Sequence, residues 1–106
     1  MSSGNTLPYV RPSFWARTID PAVEAEKKQR GDRAEALLRD ELFVEAMDRI
    51  HGTYMDHWKN SEAFDFETRE RAYVAVMLLT DLQNQLISYV RDGQVARGVI
   101  EKSLRR

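Results

Sequence analysis

The chain has no cysteine among its 106 residues, which excludes disulfide staples, thiolate metal sites and cysteine nucleophiles and fits a reducing compartment. It has no apolar run near the ~20 residues of a membrane span, and its first residues lack the basic and apolar blocks of a secretory signal. The expectation is a soluble protein with no membrane partner. No glycine-rich phosphate loop is present, and no serine stands with a histidine and an acid in a nucleophilic arrangement. Histidine occurs twice, at His51 and His57. Six positions apart on one helix, they face different ways and cannot chelate a metal as an i, i+4 pair would. The dimetal pattern of glutamate with histidine three residues on is missing, Asp48 with His51 being the nearest approach. Catalytic residues, metal sites and cofactors are therefore all expected to be absent, and the many carboxylates read as a solvated helix face with pairs such as Glu35 to Arg39 and Glu45 to Arg49.

What is present is a chain 42% apolar and 31% charged, long enough for one domain and too short for two independent cores. Its net charge of −1 is unevenly spread. Residues 1–19 carry Arg11 and Arg17 and no acid, residues 31–93 sum to −6, and residues 94–106 sum to +3. An acidic body is a poor surface for sliding along nucleic acid, so contact with duplex DNA would fall to the basic ends.

Residues 1–19 contain the stretch LPYVRPSFWAR and read as an extended arm. Pro8 and Pro12 hold the backbone open, while Tyr9, Phe14 and Trp15 supply area for docking on an apolar surface of the same chain or of a neighbour. The helical domain is expected over residues 20–93. Asp20 as N-cap and Pro21 at the first helical position open a short helix over 21–30, with Gly31 as its stop. A long helix over 33–59 follows from apolar residues at Leu38, Leu42, Phe43, Met47, Ile50, Tyr54 and Trp58, spaced by threes and fours in the main. Asp65 caps a second long helix over 66–92, whose stripe runs through Ala72, Ala75, Leu79, Leu82, Leu86 and Tyr89, and Gly93 supplies its stop. Residues 94–106 form a basic amphipathic helix with Arg97, Lys102, Arg105 and Arg106 as weak candidate phosphate contacts.

The expected fold class is all-α: a long antiparallel helical hairpin with short flanking helices and an extended N-terminal arm. Between Tyr73 and Leu82 the second long helix is apolar nearly all round, more than one partner helix covers, and a two-helix hairpin encloses no core. Homo-oligomerisation is the expected remedy, through Leu42, Met47, Ile50, Val76, Leu79, Leu82 and Leu86. Trp58, Phe64 and Phe66 surround a polar turn and are expected to fold back over the end of the hairpin, the alternative being a contact patch for another protein.

Two stretches, ALLRDELFVEAMDRI and HWKNSEAFDFETRERAYVAVMLLTDLQNQLISYVRDGQVAR, carry a resemblance. Over residues 34–97 the chain resembles small helical proteins of tailed phages and gene-transfer elements, and within that setting the small terminase subunits. The resemblance implies a non-enzymatic packaging protein whose hairpins assemble into a ring, with the large terminase subunit or another virion protein as partner. Its location would be the host cytoplasm or the virion. Small terminases usually carry an N-terminal helix-turn-helix unit, and residues 1–31 are too few for one, so the basic tails remain as the DNA contacts. The competing expectations are a structural head or connector accessory and a small phage-encoded inhibitor of a host protein.

Overall fold

The computed structural model describes residues 19–105, and all regular structure among them is helical. Three helices follow in order: α1 over Pro21–Arg39, α2 over Glu41–Lys59 and α3 over Phe66–Leu104. Each begins on an aspartate whose carboxylate accepts from a backbone N–H that the first turn leaves free. Asp20 takes the N–H of Ala22 at 2.9 Å, Asp40 that of Phe43 at 2.9 Å, and Asp65 that of Thr68 at 3.1 Å. Pro21 sits where its missing N–H costs nothing.

At 39 residues α3 is about 58 Å long, and α1 and α2 lie antiparallel along it, end to end, as one broken arm. The register follows from the contacts. Ile100 lies with Ala22 and Ala25, Gly93 with Gly31, Leu79 with Met47, and Ala72 with Tyr54 and Trp58. The hairpin is thus longer than the sequence pattern implies, and its first arm breaks in a different place.

Gly31 does not stop a helix: α1 runs through it to Arg39, and the short helix over 21–30 is replaced by one of 19 residues. Gly93 likewise lies inside α3, so residues 94–104 continue the second arm rather than forming a separate helix. Both corrections have one cause, because the two glycines face each other where α1 crosses α3. A Cβ built on Gly93 would stand 2.9 Å from the Gly31 Cα and 3.2 Å from the Lys27 carbonyl oxygen. One built on Gly31 would stand 2.8 Å from the Tyr89 carbonyl oxygen. The backbones touch here, and only glycine permits it. Ala34 and Ala96, one turn on in each helix, are buried by the same approach.

The break falls instead at Asp40, a single residue with extended backbone (φ −70°, ψ 119°) whose N–H still bonds the Leu37 carbonyl and whose own carbonyl accepts from Val44. It ends one helix and caps the next. The separate helix expected over 33–59 is therefore divided between α1 and α2.

The enclosed core is slight. Ala34, Ala72, Leu86 and Ala96 are the buried hydrophobic residues, α2 has no buried residue, and among the described residues no large side chain is fully enclosed. The Cα radius of gyration is 22.7 Å, against about 13 Å for a compact domain of this length.

The glycine crossing makes a prediction with an internal control. Gly93→Ala, despite the better helix propensity of alanine, should destabilise the fold by about 1–3 kcal/mol through overpacking. Gly52→Ala, where a Cβ meets nothing within 4 Å, should stabilise it by up to about 1 kcal/mol. Urea unfolding followed by circular dichroism measures both.

Candidate assembly surface

The seam between α2 and α3 is built from Phe43, Met47, Tyr54 and Trp58 on one side and Ala72, Val76, Leu79 and Gln83 on the other. Flanking it, two cavities open on the same side of the hairpin. One, of about 140 Å³, is lined by Leu38, Phe43, Val44, Met47 and Leu79 with Asp48, His51, Thr80 and Gln83. The other, of about 200 Å³, lies between Tyr54, Met55, Trp58, Tyr73, Val76 and Met77. Val44, Tyr73 and Met77 border this grooved side and are themselves exposed.

Helical geometry fixes what lies on the opposite side. At 100° per residue, Leu42, Ala46 and Ile50 form a stripe on α2, turned away from Val44 and Met55. Ala75, Leu78 and Leu82 form the matching stripe on α3, turned away from Tyr73 and Thr80. Leu42 is 73% exposed and Leu78 62%, and Ile50 and Leu82 are also exposed. The back of α3 joins the two sides, because Tyr73, Met77, Val74, Leu78 and Leu82 progress round about 180° of its circumference and all are exposed.

The seven residues that the apolar pattern singles out for assembly thus divide. Leu86 is buried within the hairpin, and Met47, Val76 and Leu79 are part-buried along its seam, so these four hold the two arms of one chain together. Leu42, Ile50 and Leu82 face outward and remain as candidates. Val74, Met77 and Leu78 belong with them. The apolar run from Tyr73 to Leu82 was the signal for these three, although a single stripe chosen by spacing leaves them out.

Of the three aromatic residues at the turn, Trp58 lies against α3, while Phe64 and Phe66 do not fold back. Phe64 and Phe66 are 75% and 76% exposed. Trp58 is held by the Arg69 guanidinium, stacked 4.6 Å from its ring, and Arg69 also donates to the Ser61 hydroxyl at 3.2 Å. His57 stands edge-on to Tyr54, with 5.5 Å between ring centroids.

At the other end of the hairpin, Arg97 is engaged within the chain, its guanidinium donating to Asp32 at 3.2 Å. Lys28 donates to the second oxygen of the same carboxylate at 3.1 Å. The Arg97 bond ties α3 to α1 beside the glycine crossing, which makes Arg97 a poor candidate for phosphate. Lys102 and Arg105 are exposed on the last turns and form no ion pair among the described residues. The expected docking residues Tyr9, Phe14 and Trp15 and the expected phosphate contact Arg106 lie outside the described residues. The helix-face pairs Glu35 with Arg39 and Glu45 with Arg49 close at 2.8 and 3.5 Å.

Among the described residues no three acidic or histidine side chains converge to hold a metal ion, and no helix is long and apolar enough to cross a membrane. No protein-family model, curated protein or solved structure matches the chain.

The charged groups set a pH dependence. Asp32 is held below the ordinary carboxylate value of 3.8 by the Lys28 hydrogen bond first and by the charges of Lys28 and Arg97 next. Asp65 is lowered by its bonds from Thr68, its side chain and its backbone N–H. Groups lowered on folding stabilise above their unfolded value and lose that contribution as pH falls through the folded value. The helical signal in moderate urea should therefore be flat above about pH 5 and fall below about pH 4. The Asp32→Asn, Asp65→Asn double variant should be less stable at neutral pH and show a shallower acid slope.

Proposed function

We propose that this chain is a non-enzymatic assembly protein of the tailed-phage type, a small terminase-like subunit that oligomerises and helps DNA packaging. The observation that carries the reading is the uncovered apolar surface at residues 73–82 together with Leu42 and Ile50 of the neighbouring helix. A monomer rarely leaves so much contiguous apolar surface in water. The long hairpin without a closed core suits a subunit whose packing is completed by its neighbours. The resemblance over residues 34–97 supplies the packaging setting, with the large terminase subunit as the natural second partner and the host cytoplasm as the place of action.

In this reading Lys102 and Arg105 are, among the described residues, the candidate cations available for duplex DNA. Two per copy bind weakly, and many copies presented on one ring bind together. The exposed Phe64 and Phe66 at the turn favour a second reading, a structural head or connector accessory that uses the turn to grip another virion protein.

Size-exclusion chromatography with light scattering separates a soluble ring of about eight or more copies, which the proposal expects, from a monomer or dimer, which would contradict it. If the ring binds duplex DNA through Lys102 and Arg105, affinity should fall steeply with salt. Replacing both by Gln should then reduce the slope of log K against log salt by nearly 2 for each copy in contact. Salt-insensitive or absent binding would favour the virion accessory.

A further inference from the structure

We infer that copies of this chain join head to tail, the Leu42–Leu78 side of one hairpin seating against the Val44–Tyr73 side of the next. The inference rests on the oligomeric reading above and specifies its interface.

The two sides of the hairpin differ in shape and share a level. One is an apolar strip, Leu42, Ala46 and Ile50 of α2 beside Ala75, Leu78 and Leu82 of α3, with Arg49 and Arg71 at its margins. The other is grooved: its cavity of about 200 Å³, between Met55, Tyr73, Val76 and Met77, is apolar, and its cavity of about 140 Å³ sets Val44, Met47 and Leu79 beside Asp48, His51, Thr80 and Gln83. Projecting leucines on one side and hollows with apolar walls on the other are complementary to each other rather than each to itself.

Coverage points the same way. The exposed apolar arc of α3 spans about 180°, whereas a single packed neighbour covers a stripe nearer 100°. A two-fold pair made through either side would leave the other uncovered on both copies. A head-to-tail contact uses both sides of every copy, and it repeats until a ring closes or a filament grows. The area is sufficient: Leu42, Ile50, Leu78 and Leu82 leave on the order of 400 Å² of apolar surface exposed. At about two-thirds apolar, such an interface buries roughly 1,200 Å² over both partners, within the range of specific contacts.

Complementation tests the inference on the full chain. Leu42→Asp damages one side and Tyr73→Asp the other, both at exposed positions, with Leu78→Asp and Met77→Asp as second variants should either of the first lose its helical circular dichroism. Light scattering should show each variant alone as a monomer. An equimolar mixture of the two should give a heterodimer that grows no further, because each partner retains one intact side. If Tyr73→Asp remains a dimer and mixing changes nothing, copies pair through like sides and the inference is overturned while the oligomeric reading stands. If both variants assemble as the wild type does, the surface is not an interface between copies and the inference is overturned. A monomeric wild type overturns both.

Discussion

The contact between Gly31 and Gly93 sets the architecture, because it is where the backbone of α1 lies directly against that of α3. With side chains on either residue the helices would stand further apart. Ala34 and Ala96 would then lose their burial, and the Arg97 to Asp32 bridge would be stretched. Each glycine costs about 1 kcal/mol of helix propensity relative to alanine. The close crossing offsets that cost and pairs what would be two loose ends as the continuation of both arms of the hairpin.

A hairpin pinned so tightly at one end is thin throughout. Alanines fill the places where the arms meet, Ala72 near the turn and Ala34 and Ala96 near the crossing, and among the described residues Leu86 is the one larger buried side chain. Val74, Met77, Leu78 and Leu82 of α3 are left to point outward, since a partner on one side leaves the rest of a helix uncovered. Assembly in this account follows from the same packing that defines the subunit. The proposed interface is the part of the core that one chain is too thin to close.

Much of this was legible in the sequence. The spacing of Leu79, Leu82 and Leu86 identified the long helix, Asp65 its start, and the two long helices their antiparallel arrangement. What misled was the reading of glycine as punctuation. In one dimension, a glycine after the last apolar residue of a run looks like a stop, and Gly31 and Gly93 both occupy such positions. The missing information was that they meet in space. One trace of it exists, since Gly31 with Ala34 and Gly93 with Ala96 repeat the same Gly-x-x-Ala spacing, a small-residue face on each of two helices. Asp40 was overlooked for the opposite reason: an aspartate within a strongly periodic run looks like surface, and its capping of Phe43 shows only once the backbone is seen to open. On the outer surface the pattern named Leu42, Ile50 and Leu82, which are exposed. It also assigned Leu86 and the seam residues outward, because a stripe gives the direction of burial and not the identity of what lies across it.

The central claim is that the core of this protein is completed by other copies of itself, and it is tested most directly by the concentration dependence of thermal unfolding. A hundred-fold rise in protein concentration should raise the midpoint by on the order of 10 °C, as association linked to folding requires. A midpoint independent of concentration, with the protein shown to unfold reversibly, would mean that the single hairpin is stable alone, and would contradict the account.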